Sequence, residues 1–147
     1  MESNDRIGAA YHEAGHAIVA WVFGLTIAEV AIGIDGDDAA GRTKIIGTDD
    51  HLTVFDRVVL NLAGLEAQEI FEAPTHDNAG LGDFAKIIDL LYDVSEEESA
   101  KIRAAARERA HEIILANRSK VARLAQRLLT DESIDGATFV AIVGACG

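Results

Sequence analysis

Cysteine, proline and aromatic residues are scarce in this chain, and so is positive charge. The one cysteine, Cys146, stands next to last among 147 residues. A disulfide framework within one chain is thereby excluded, as is a metal cluster built on thiolates. The one proline, Pro74, leaves long stretches free to be helical. Lysine and arginine number 13 against 25 aspartates and glutamates, a formal net charge of −12. That field repels phosphate backbones, so no nucleic acid partner is expected. The most apolar stretch, residues 14–28, contains His16 and falls short of the roughly 20 residues a membrane span needs. No membrane partner is expected, and an intramembrane protease is excluded on the same ground. Residues 1–5 are polar and acidic, unlike the basic start of a signal peptide. A soluble, cytoplasmic protein is the expectation.

What is present suffices for a core. Hydrophobic residues make up 49% of the chain, and its length suits one domain, residues 1–147. Charge is unevenly spread: residues 1–98 hold 20 acids and 5 bases, residues 99–147 hold 5 and 8. The asymmetry has two readings, a solvated helix face or a self-complementary contact between copies in a homo-oligomer.

Periodicity gives the elements. Asn4 or Asp5 is expected to cap a helix to about residue 23, with Ile7, Tyr11, Ala14, Ile18, Trp21 and Val22 at helical spacing. Alternation then places Ala28, Val30, Ile32 and Ile34 on one strand face. The turn Asp35-Gly36-Asp37-Asp38 and a second strand at 41–46 complete a hairpin. Leu52, Phe55, Val58, Val59, Leu62, Ile70 and Phe71 predict a helix over 51–72, followed by a loop over 73–82. Helices are predicted over 83–93 and 96–116, the latter opened by Ser95 and Glu98 as a capping box. Helix continues or restarts through residue 129, and Asp135-Gly136 opens a last short helix. The fold class is α+β, predominantly helical, with an HExxH helix, a small β-hairpin and a C-terminal helical bundle.

That HExxH is His12-Glu13-Ala14-Gly15-His16. Residues i and i+4 lie on one helix face with Cβ atoms about 5–6 Å apart, close enough for both imidazoles to reach one ion. Glu13, one position past the first ligand, points beside that ion, where it can act as a base on water. Ala14 and Gly15 are small and let another element pack close behind. A catalytic zinc needs a third protein ligand and an open position. Residues 17–23 supply no histidine. By residue type the third ligand is open among Asp83, Glu69, His76, Asp77 and His51. His51 reads equally as a residue capping or flanking the second helix, and His111 as a solvated helix residue.

The chain resembles the FtsH family of ATP-dependent zinc proteases in their peptidase domain. The resemblance rests on His12 to His16, Gly41-Arg42-Thr43, the run Leu62 to Glu69, Gly80-Leu81-Gly82-Asp83, Asn117-Arg118 and Leu129-Thr130-Asp131, in that order. It implies a zincin-like fold, Zn2+ on His12 and His16, and Glu13 as catalytic base. It also implies Asp83 as the third ligand, with Glu69 the second choice. The family usually has Asn where Gly82 stands, and Gly-Arg where Gly64-Leu65 stands. No Gly-x-x-x-x-Gly-Lys-Ser/Thr occurs in the chain. It is therefore not expected to unfold substrates itself, and an ATPase would have to be a separate partner.

The expected activity is hydrolysis of peptide bonds in short peptides or unfolded protein segments. The substrate would lie extended along an exposed edge of the hairpin, where Gly41 permits close backbone approach. The rival reading is a catalytically silent zinc-binding interaction module derived from such a peptidase.

Overall fold

A computed structural model describes residues 3–75 and 80–144. It is mostly helical with one small antiparallel sheet, as the periodicity predicts. Helix α1 (Asn4–Val22) is buried on nearly every side, because Gly8, Ala9, Ala10, Ala14, Gly15 and Ala17 carry almost no side chain to hold neighbours off. Its N-cap is Ser3, not Asn4 or Asp5. The Ser3 hydroxyl accepts from the Arg6 N–H at 3.1 Å, which requires a residue just outside the helix in extended conformation.

Strand β1 (Thr26–Ile32) pairs antiparallel with β2 (Gly41–Ile46), with Ile32 opposite Gly41 and Thr26 opposite Ile46. The register shifts between Ile27 and Glu29. Such a bulge breaks the period of two, so Ile27 and Val30 both reach the core although three residues apart. Ile34 lies past the strand, in a 3-10 turn at Ile34–Gly36. A third strand, β3 (Ser133–Asp135), which the sequence pattern does not signal, pairs with β1 across Glu29 to Ala31. Three residues are too few to show alternation. Among the described residues the sheet order is β2-β1-β3, which puts β2 at an edge of the sheet.

Helix α2 (Val54–Ile70) opens with a full capping box, Thr53 and Asp56 exchanging hydrogen bonds with each other's backbone. Helices α3 (Leu81–Leu90), α4 (Glu96–Ala116), α5 (Arg118–Asp131) and α6 (Gly136–Val143) follow. Ser95 caps α4 through the Glu98 N–H, but the return bond of the expected capping box does not form, so this cap is half of the one on α2. The helix restarts after Asn117 rather than continuing. The C-terminal helices do not form a bundle of their own. They dress the N-terminal elements, α4 lying on α2, α5 on α1, and α6 against β1 and α5. No helix among the described residues is long and apolar enough to cross a membrane.

The α1–α2 crossing positions everything that follows. A Cβ on Gly15 would stand 2.6 Å from both the Ala63 carbonyl oxygen and the Ala67 Cβ. Only hydrogen fits there, so the two backbones touch. Gly15→Ala is expected to force the helices apart and cost about 1–3 kcal/mol of stability. A lower urea midpoint at unchanged slope checks this.

Candidate metal centre

Two turns of α1 carry His12 and His16 on one face, and the first turn of α3 carries Asp83. The chain brings these three side chains together across 71 residues. Asp83 Oδ2 stands 3.0 Å from His12 Nε2 and 3.0 Å from His16 Nε2. The two Nε2 atoms are 3.1 Å apart. The imidazole planes meet at 73°, so their nitrogens converge instead of stacking.

Hydrogen bonds behind the rings decide what those nitrogens carry. His16 Nδ1 faces the Leu60 carbonyl oxygen at 2.8 Å, and a carbonyl can only accept, so Nδ1 bears the hydrogen. His12 Nδ1 faces Gln68 Oε1 at 2.6 Å, while Gln68 Nε2 donates to the Pro74 carbonyl at 2.8 Å. In neutral rings both Nε2 atoms therefore present lone pairs. Two lone pairs and a carboxylate oxygen at mutual distances of about 3 Å repel unless a cation lies among them. A tetrahedral zinc with bonds of about 2.0–2.1 Å spaces its ligand atoms at about 3.3 Å. The triangle is within a few tenths of an ångström of that, and two imidazoles plus one carboxylate suit zinc. Among the described residues these three are the group able to hold a metal.

Their environment is consistent with that charge pattern. Burial pushes the Asp83 carboxyl up, but His12 and His16, which when protonated donate to it and place positive charge beside it, hold it well below the usual carboxylate range. For His16, burial lowers the pKa. The Asp83 hydrogen bond, the negative charges of Glu13 and Asp83 and the Leu60 carbonyl outweigh it, so the imidazole titrates above its ordinary value.

Glu13 stays outside the triangle, as its place in the helix predicts. Its side chain is buried, and its Oε1 accepts from the Thr43 hydroxyl at 3.1 Å. Gly41 sits opposite. A Cβ there would lie 2.5 Å from Glu13 Cγ and 2.9 Å from Glu13 Oε2. The absence of a side chain at Gly41 thus makes room for the Glu13 side chain. Gly64 does the same for His12, since a Cβ would fall 2.5 Å from Nε2. His12, Glu13, His16 and Asp83 all face a cleft of about 490 Å³, which β2 walls on one side through Gly41, Arg42 and Thr43.

The other candidates are elsewhere. Glu69 is exposed and pairs with Arg107 at 2.6 Å, because its side of α2 faces α4 rather than α1. His51 Nε2 donates to the Phe23 carbonyl at 2.9 Å, closing the end of α1 instead of capping α2. His111 is not merely solvated, for its Nδ1 lies 2.7 Å from the buried Glu66 carboxylate. His76 and Asp77 lie outside the described residues. Gln68 and Thr43, both within the motif runs, also border the site. A signal for Gln68 existed: it follows Gly64 by four, the same spacing that places His12 and His16 on one face.

No known protein family matches the chain, and no curated protein matches it.

The opposed shifts at Asp83 and His16 make the metal-free protein sensitive to pH. Asp83 titrates lower folded than unfolded, so its contribution is full above about pH 4 and fades as the pH falls toward the depressed folded value. His16 titrates higher folded than unfolded, so its contribution is full below about pH 6.5 and is lost as the pH rises through the folded value. Chelator-treated protein is expected to draw most stability from this pair between about pH 4 and 6.5. Asp83→Asn should flatten both limbs, read as urea midpoints against pH.

Proposed function

We propose that the chain is a zinc-dependent metallopeptidase of the FtsH peptidase type. The observation that carries this reading is the triangle of His12 Nε2, His16 Nε2 and Asp83 Oδ2 with its tautomers already set, beside the independently anchored Glu13. The sequence order of the motifs from His12 to Asp131 supports it. Three protein donors facing a cleft suit a catalytic site better than a closed structural one, which takes four.

His12, His16 and Asp83 would hold the ion. When bound, zinc supplies a Lewis acid that polarises a peptide carbonyl and lowers the pKa of water to about 7. The chain's own residues do the rest. Glu13 takes the proton of the attacking water and returns it to the leaving amine. Thr43 holds one carboxylate oxygen and leaves the other free to act. The outer edge of β2 offers unpaired backbone groups along the cleft, so an extended segment can add as a further strand. That geometry suits short peptides and unfolded segments, and an ATPase acting in trans would be needed for folded ones.

Glu13→Gln is expected to keep one zinc per chain and lower cleavage of a labelled unfolded protein by about 10²–10⁴-fold. Asp83→Ala should lose both metal and cleavage. Metal analysis and a fluorescence cleavage assay on the same preparations check this. Full turnover in Glu13→Gln overturns the assignment of the base. Zinc binding with no cleavage of peptide or unfolded protein by the unmodified chain supports the silent module instead.

A further inference from the structure

The two imidazoles are held by different means. His16 leans on a backbone carbonyl of α2, which no side-chain substitution removes. His12 leans on a side chain, Gln68, which is 3% exposed and makes two short hydrogen bonds inside the protein. An amide can face either way, and its other orientation would set an NH2 group against His12 Nδ1–H. Pro74 removes that choice. Its carbonyl accepts only, so it takes the Gln68 NH2 and turns Oε1 toward the ring. Gly8 of α1 leaves the gap in which this happens: a Cβ there would strike the Pro74 carbonyl oxygen and lie 3.1 Å from Gln68 Nε2.

We propose that Gln68 is the positioning residue that fixes the tautomer and tilt of His12, with its own polarity set by the Pro74 carbonyl through the space at Gly8. Pro74 is thereby wired through Gln68 to His12, whereas His16 is held by the Leu60 carbonyl. The partner is neutral, so it orients the ring without adding negative charge behind it. The metal arm of this inference rests on the zinc reading above; the tautomer arm does not.

The test reads both arms. In chelator-treated protein at alkaline pH, long-range 15N–1H NMR of the neutral rings should show the hydrogen on Nδ1 of His12 and of His16. Gln68→Leu removes the acceptor at similar volume. It is expected to turn His12 into a mixture of tautomers while His16 is unchanged, and to weaken zinc binding, measured by chelator competition, about 10–100-fold. Gln68→Glu restores the acceptor and should keep the Nδ1–H form with zinc affinity within about tenfold of the parent. Should Gln68→Leu not fold, Gly8→Ala takes its place, because displacing the Pro74 carbonyl should also mix the His12 tautomers. A His12 that keeps its hydrogen on Nδ1 in the variant tested overturns the proposal. So does a variant with mixed tautomers that binds zinc as tightly as the parent. If the parent binds no zinc, the metallopeptidase reading fails while the NMR result still decides the role of Gln68.

Discussion

Three electron-rich atoms held about 3 Å apart are an unstable arrangement without positive charge among them, and the packing of this protein enforces it. Two come from successive turns of α1 and the third from the start of α3. None can withdraw freely. His16 is tied to the Leu60 carbonyl, His12 to Gln68, and Asp83 to a helix whose N-terminus is seated on Leu65 at Gly80. The lone pairs and the carboxylate are thus preorganised for a cation, and little reorganisation remains when one arrives.

Glycine makes this closeness feasible. Helix interiors ordinarily lose about 1 kcal/mol for each glycine relative to alanine. Gly8 and Gly15 of α1 and Gly64 of α2 nevertheless occupy such positions, each against an atom that a Cβ would hit. Gly15 lets the two backbones meet, Gly64 makes room for the His12 ring, and Gly8 admits the Pro74 carbonyl. On the far wall Gly41 yields to Glu13. The local cost in helix propensity is offset by burial along the α1–α2 contact, where Ala63 and Ala67 lie fully buried against Gly15.

The opposite side of α2 carries a second polar cluster with a different task. Glu66 is buried, and it meets Arg107 at 3.1 Å and His111 at 2.7 Å, both from α4. A buried carboxylate stripped of such partners is costly, so the cluster specifies which face of α4 lies on α2. Because Gly64 and Gln68 belong to the same helix, that choice also turns their face toward α1. Glu69 is drawn into the cluster by Arg107, which keeps it away from the imidazoles.

What the sequence determined by itself is what depends on neighbours within a few turns. The His12–His16 spacing, the lateral place of Glu13, the hairpin and the run of helices all follow from local periodicity and turn chemistry. The carboxylate that meets the two imidazoles was different. Asp83, Glu69, His76, Asp77 and His51 were indistinguishable as residue types, and only the resemblance favoured Asp83, since nothing local encodes which side chain will meet another 71 residues away. The same limit hid β3, which exists only because β1 lies beside it, and the purposes of Gly64, Gln68 and Thr43. A side chain's partner across the core is set by the angle and depth at which helices pack, and those are sums over many contacts that no short window of sequence contains.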